Sequence, residues 1–194
     1  AHYVANTTEG LNMIDGDENL YSPKESENIH PYWKTKLFDY SDINVQRFLL
    51  SNIRYWMEEY HIDGFRFDGV TSMIYKHHGY VDDFGTYDNY FGKCVNEDAI
   101  TYLTLANDLI HSLRPDAVTI AEEVSGMPGM ARPIADGGVG FDYRMAMALP
   151  DYWIKLLKDQ RDEQWSMADL WKVMNDRIFD VKTVAYCESH DQAI

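Results

Sequence analysis

The sequence predicts an α/β fold with a parallel sheet, and three strand-like segments support this prediction. Residues 62–68, 117–123 and 183–191 each combine apolar or alternating residues with acidic side chains at their ends. Stretches with the apolar spacing of helices separate them, which is the alternation of a parallel α/β sheet. The carboxyl ends of such strands meet at one face of an α/β barrel, so the acids should gather there and form an active site.

The first half of the chain is expected to contain one long helix and one strand. Residues 1–40 are rich in turn-forming residues, and a loop of this length is often functional. Ser41-Asp42 should begin a helix, because apolar residues recur at helical spacing from Val45 to Met57. The strand 62–68 follows, and residues 71–95 are expected to be irregular.

The second half is expected to alternate between strands and helices. A helix over 96–113 is the clearest element, because Asn96 can cap it and acids at 97 and 98 suit its N-terminal dipole. Ser166 has the spacing of a capping box at another helix. The later elements are expected over 117–121, 139–142, 144–158, 166–179 and 183–188, of which the first, second and last are strands.

The composition argues against several classes of partner. A net charge of −15 over 194 residues disfavours nucleic acid and anionic membranes, whereas a neutral polymer is not repelled. No apolar run approaches transmembrane length.

Cys94 and Cys187 do not form a disulfide framework, and Cys187 is expected to be a reduced residue of a buried strand. Reduced cysteines fit the cytosol or the plastid stroma.

The segment Asp63-Gly-Phe-Arg-Phe-Asp68 carries the most informative chemistry. Phenylalanines alternate with Arg66 and Asp68, so the two charged side chains should lie on the same side of a strand. A permanently charged guanidinium keeps a neighbouring carboxylate ionised, as a nucleophile requires. On these residues alone, a structural Arg–Asp pair is an equally good interpretation.

Three motifs accompany the predicted strands: Asp63-Gly-Phe-Arg-Phe-Asp68, Ala121-Glu-Glu-Val-Ser-Gly-Met-Pro128 and Glu188-Ser-His-Asp-Gln-Ala193. They resemble motifs of the α-amylase superfamily, and within it those of the eukaryotic-type glycogen and starch branching enzymes. The resemblance extends over nearly the whole chain, from His2 to Ile194. Four further segments support the narrower assignment: Gly10–Gly16, Arg47–Arg54, Gly69–Ile74 and Gly140–Met147.

The resemblance implies a (β/α)8 TIM barrel, of which this chain would carry a part. Residues 1–194 are expected to be the central part of the catalytic domain, with strands four to seven and their helices. The chain is therefore expected to be a fragment of a longer enzyme.

The resemblance also implies catalytic roles for three acids. Asp68 matches the nucleophile of a retaining enzyme, and Glu122 matches the general acid/base. Glu122 is expected to have a raised pKa, since a second carboxylate lies nearby. Asp191 matches the third acid of the family, which binds sugar hydroxyls and favours the distorted transition state.

Three further residues match the family's substrate-binding positions. Arg66 matches the arginine that keeps the nucleophile ionised. His2 and His190 match histidines that hydrogen-bond the sugar in the subsite where the bond is cleaved.

Other acids near the motifs are expected to have structural roles. Asp63 precedes its strand and suits a turn. Glu123 should point away from Glu122 on the strand and support it, although exchanged roles remain an alternative. Glu188 is expected to be structural as well. The run Ser189-His190-Asp191 is not a serine triad, because adjacent residues cannot form that relay geometry.

No metal or cofactor is expected. His77 and His78 lack further ligands at metal-binding spacing and suit a loop or sugar-facing role. Asp82, Asp83 and Asp88 lack the pattern of a calcium loop and are expected to be solvated.

The expected activity is the branching of α-1,4-glucan through α-1,6 linkages, with glycogen, amylose or amylopectin as the polymer. The full-length enzyme is expected to be a monomer in the cytoplasm or the plastid stroma. An α-glucan hydrolase of the amylase or debranching type is one alternative. A non-catalytic glucan-binding protein on the same fold is another, although such a protein has no need of three converging acids.

Overall fold

A computed structural model of the protein describes residues 2–3, 14, 16–17, 19–23, 28–80 and 84–192. Most of the motif Gly10–Gly16, the acids Asp82 and Asp83, and Ala193 lie outside these residues. The strands are β1 (His2–Tyr3), β2 (Lys36–Leu37), β3 (Gly64–Phe67), β4 (Val118–Ala121), β5 (Tyr143–Met145) and β6 (Thr183–Val184). The helices are α1 (Ile43–Tyr60), α2 (Val70–Ile74), α3 (Tyr87–Phe91), α4 (Glu97–Leu113), α5 (Ala148–Asp159) and α6 (Met167–Asn175), with short 3-10 turns at Ile134–Asp136 and Asp162–Gln164.

The main sheet is parallel, as predicted, and its four strands follow chain order from β3 to β6. Gly64 pairs with Val118, and Phe67 pairs with Ala121. A Cβ atom at Gly64 would lie 2.0 Å from the Val118 carbonyl oxygen, so only glycine fits between these two strands. β1 and β2 form a separate antiparallel pair in which His2 lies opposite Leu37.

The core lies between the first two strands of the sheet and helices α1, α2 and α4. Val70, Ile74, Leu103, Ile110 and Ala121 are fully buried there. Burial of one such aliphatic side chain contributes about 1.5–3 kcal/mol, so this cluster holds β3 and β4 in place. The site residues at the ends of these strands are therefore mounted on the hydrophobic core.

The long helices agree with the predictions. α1 is capped by Asp42, whose side chain accepts the Asn44 N–H, and α4 is capped by Asn96. Ser166 caps α6 by accepting the Asp169 N–H. The predicted irregular stretch 71–95 is wrong in part, because it contains most of α2 and all of α3.

Several predicted boundaries are wrong in the second half. The strand expected at 139–142 forms instead at Tyr143–Met145, because the N–H groups of residues 139–141 donate to the loop carbonyls of Gly129, Arg132 and Met130. The following helix consequently begins at Ala148, and α6 ends at Asn175 rather than at 179.

The strand predicted over 183–188 spans only Thr183–Val184. Cys187 is exposed, as is Cys94, so the predicted burial of Cys187 is wrong, although both thiols are free. The physical reason is position, because β6 is the edge strand of the described sheet and no further described strand covers the segment after it.

Candidate active site

The predicted acids lie at the carboxyl end of the sheet. Asp68 directly follows β3, Glu122 directly follows β4, and Asp191 lies in the turn after β6. One side-chain nitrogen or oxygen atom from each of Asp68, His190 and Asp191 lies within 4.8 Å of those of the other two. In a flat sheet, three strand spacings would separate β3 from β6 by about 14 Å. The sheet must therefore curve, or the segment after β6 must cross its edge.

Arg66 joins two of these acids. Its Nη1 lies 2.9 Å from Asp68 Oδ1, and its Nη2 lies 2.6 Å from Glu122 Oε2. The contact with Asp68 confirms that the two side chains lie on the same side of the strand, and the pairing of β3 with β4 brings Glu122 within reach. One guanidinium thus holds two carboxyl groups from adjacent strands.

Asp68 remains easy to ionise. Burial on its own would raise the pKa of Asp68, but the hydrogen bond with Glu122 and the nearby charges of Arg66 and His2 outweigh it, and the pKa lies below its usual value. His2 Nε2 lies 3.4 Å from Asp68 Oδ2. The environment of Asp68 is therefore that of a carboxylate.

The pKa of Glu122 is shifted in the opposite direction, upward. Burial is the main cause of its raised pKa, and Asp68 raises it further, whereas the Gly69 N–H, 3.1 Å from Oε2, and Arg66 lower it. The predicted direction of this pKa shift is confirmed, but burial contributes more to it than the neighbouring carboxylate that the sequence analysis named as the cause. Two carboxyl groups whose pKa values are driven apart can serve as base or nucleophile and as acid in one site.

Glu123 points away from Glu122, as predicted. It is fully buried, and its carboxylate lies 2.7 Å from Arg144 Nη2. It also accepts hydrogen bonds from the Thr71 hydroxyl and from the N–H groups of Ser125 and Gly126. This network fixes the backbone that carries Glu122 and joins it to β5 and α2.

His190 and Asp191 contact each other at the open side of the site. His190 Nε2 lies 3.0 Å from Asp191 Oδ2, and both side chains are exposed. The Ser189 hydroxyl oxygen accepts the N–H groups of Asp191 and Gln192, so it shapes the turn rather than acting in a relay with His190.

The family comparison agrees with this geometry, because residues 31–193 match the model of the alpha amylase catalytic domain. The chain belongs to the alpha-amylase catalytic-domain family.

Curated relatives of this family span the whole of the chain. It is 53% identical over 196 residues to a 1,4-alpha-glucan-branching enzyme of Rhizophagus irregularis and 54% identical over 195 residues to one of Felis catus. It is 50% identical over 198 residues to one of Solanum tuberosum. The chain spans 29%, 28% and 23% of the length of these relatives. Among its described residues, no helix has the length and apolar character needed to cross a membrane.

Within the alpha-amylase domain, two other predicted positions are structural in their contacts. Asp63 precedes β3, its side chain is 86% exposed, and its carboxylate lies 2.7 Å from Arg114 Nη1, outside the site. His78 Nδ1 lies 3.3 Å from the Ser72 hydroxyl oxygen in the segment after α2. Of the described residues, the one group of three with metal-ligand spacing is Asp68, His190 and Asp191.

The sequence analysis missed three neighbours of the site, which are His30, Trp33 and Arg144. The Trp33 ring lies 4.7 Å from the His2 ring and 4.0 Å from the His30 ring, in a stack that borders Gly69. Arg144 was missed as the partner of Glu123. No local pattern indicated these residues, because the sequence analysis placed Arg144 in a helix over 144–158 and the stack joins Trp33 to His2 from a distant part of the chain.

Proposed function

We propose that this chain is the central part of the catalytic (β/α)8 barrel of a 1,4-α-glucan branching enzyme, with β3 to β6 as barrel strands four to seven. The observation that carries the proposal is the pair Asp68 and Glu122, held by Arg66 with pKa values driven in opposite directions. The relatives named branching enzymes, which the chain matches along its whole length, supply the choice of reaction.

The proposed reaction is a double displacement. An Asp68 oxygen attacks the anomeric carbon of an α-1,4-linked glucose while Glu122 donates its proton to the departing O4, which leaves a glycosyl ester on Asp68. Glu122, now a carboxylate, takes the proton of a glucan 6-hydroxyl as that oxygen attacks the anomeric carbon of the ester and breaks its bond to the Asp68 oxygen. The new α-1,6 bond forms, and Asp68 is released as a carboxylate.

The remaining site residues bind the sugar. Arg66 keeps Asp68 ionised and orients Glu122, whereas Asp191 accepts hydrogen bonds from sugar hydroxyls. His2 and His190 donate hydrogen bonds to the same sugar. None of these steps consumes a cofactor, and the substrate is a neutral α-glucan polymer, which a charge of −15 does not repel. We place the full-length enzyme as a monomer in the cytoplasm or the plastid stroma, where Cys94 and Cys187 stay reduced.

Proton NMR of amylose incubated with the full-length protein tests this function. We expect α-1,6 anomeric signals to rise with no new reducing ends, because glucan and not water is the acceptor. The Asp68→Asn variant is the control and should leave both signals unchanged. New reducing ends without α-1,6 signal would make the protein a hydrolase, and glucan binding without either product would make it a binding protein.

A further inference from the structure

A large groove lies beside the candidate active site. Its volume is about 1210 Å³, and its walls include the segment 29–45 and the segment 72–80. It adjoins the site through α2, which begins two residues after Asp68. Tyr32 in its wall is also the neighbour of Trp33, whose ring packs against His2.

Two tyrosines form an exposed platform in this groove. The rings of Tyr32 and Tyr80 lie 3.9 Å apart with an interplanar angle of 35°, and the residues are 63% and 46% exposed. The backbone at both rings is anchored: buried His30 accepts the N–H groups of Tyr32 and Trp33 at Nδ1, and the Tyr80 N–H donates to the His77 carbonyl oxygen. Exposed rings on anchored backbone suit stacking against a flat apolar surface, such as a sugar ring face.

Polar side chains also line the groove. Asp39 and Asp42 lie there with Asn19 and Ser41. Within the described part of the chain, Asp39 and Asp42 use only Oδ1 in their local hydrogen bonds, to Ser41 and Asn44. Their Oδ2 atoms are suited to accept hydrogen bonds from hydroxyl groups, as the rim of a sugar chain offers.

We propose that this groove binds a segment of the α-glucan chain remote from the cleaved bond, stacked on Tyr32 and Tyr80 and hydrogen-bonded to Asp39 and Asp42. This rests on the proposed function for the identity of the polymer. The groove exceeds the roughly 300–1,000 Å³ of sites for small ligands, which favours several linked sugars over a single one. The aspartates among its described lining residues outnumber the one lysine, Lys76, and this acidic balance disfavours an anionic ligand.

The test uses the full-length protein in the Asp68→Asn background, where chains bind without turnover. Isothermal titration with maltoheptaose should show at least about 5-fold weaker binding after Tyr32→Ala and Tyr80→Ala together, the lower end of what loss of one aromatic stacking contact costs. Tyr87→Ala is the matched control, because Tyr87 stacks on Phe91 at 4.6 Å and 35° and is 74% exposed, outside the groove.

Hydrogen–deuterium exchange gives a readout that does not depend on the variants. Maltoheptaose should slow amide exchange in peptides from 28–42 and 76–80. The absence of protection there would contradict glucan binding in the groove. An unchanged dissociation constant in the double variant would also contradict glucan binding in the groove. If the melting temperature fell in that case, the two rings would only pack against the protein itself. The proposed function fails separately, by the absence of α-1,6 product from the protein with Asp68 intact.

Discussion

Glu123 and Arg144 form an ion pair of 2.7 Å that is almost sealed from solvent, with side chains 0% and 9% exposed. Arg144 Nη2 also donates to the Glu123 carbonyl oxygen at 2.9 Å. The pair therefore anchors both the side chain and the backbone of the residue that follows Glu122. The position of the candidate acid Glu122 thus depends on the charge of Arg144, in a strand that begins 21 residues later in the chain.

Arg144→Met should strongly destabilise the protein. It leaves the Glu123 carboxylate buried without its cation, which typically costs about 3–5 kcal/mol of unfolding free energy. Thermal unfolding of the full-length protein measures the effect. Arg54→Met is the control, because the Arg54–Glu58 pair on α1 has a similar distance of 2.9 Å but is exposed, and it should leave the melting temperature nearly unchanged. Equal effects of the two variants would contradict the structural role of the buried pair.

Asp68→Asn should lower the branching rate by at least about 10³-fold, as loss of a nucleophile does, while the affinity for glucan persists. Initial rates on amylose and maltoheptaose titration measure the two properties. Asp63→Asn is the control from the same motif, and it should retain activity because Asp63 is exposed and contacts Arg114 instead. Persistent activity in Asp68→Asn would mean that another group is the nucleophile.

The pH profile of kcat/KM should have two limbs. Activity needs ionised Asp68 and protonated Glu122, so it falls as pH drops through the lowered pKa of Asp68 and as pH rises through the raised pKa of Glu122. The charge of Arg66 lowers the pKa of both groups. Arg66→Leu should therefore move both limbs to higher pH, besides lowering the rate.

Arg114→Leu is the control for this shift. The Arg114 side chain is 33% exposed, against 31% for Arg66, but it contacts Asp63 and Asp116 outside the site. Its pH profile should match that of the unsubstituted protein. If Arg66→Leu also left both limbs in place, the two titrations would belong to groups other than Asp68 and Glu122.

Gly69→Ala should reduce both activity and stability. Gly69 has φ +60°, and a Cβ atom there would lie 3.0 Å from the Trp33 ring, which in turn contacts His2. The left-handed backbone alone costs about 1–2 kcal/mol for a residue with a Cβ. Displacement of Trp33 and of the Gly69 N–H that contacts Glu122 should also lower kcat.

Gly137→Ala separates these two effects. Gly137 has φ +79°, and no described residue beyond its chain neighbours lies within 4 Å of the added methyl group, so this variant should lose similar stability and keep its kcat. Melting temperatures and initial rates of the two variants give the comparison. An unchanged kcat in Gly69→Ala would show that the contact with Trp33 does not shape the site.

Local chemistry explains which predictions succeeded. α4 follows from its apolar spacing and the Asn96 cap, and the Arg66–Asp68 contact follows from the two-residue period of a strand. The boundaries of β5 and β6 were wrong because they depend on partners elsewhere. The N–H groups of residues 139–141 are taken by a loop about ten residues earlier, and β6 has a described neighbour on one side only.

The sequence by itself determined the parallel α/β order and the acids at the strand ends, because strand period, helix period and capping act over a few residues. Only the tertiary structure decided that Arg66 reaches Glu122, 56 residues away, that Arg144 neutralises Glu123, and that Trp33 packs against His2. It also decided that burial, ahead of the neighbouring Asp68, is the main cause of the raised pKa of Glu122. Burial and charge proximity exist only once strands distant in the chain are packed together.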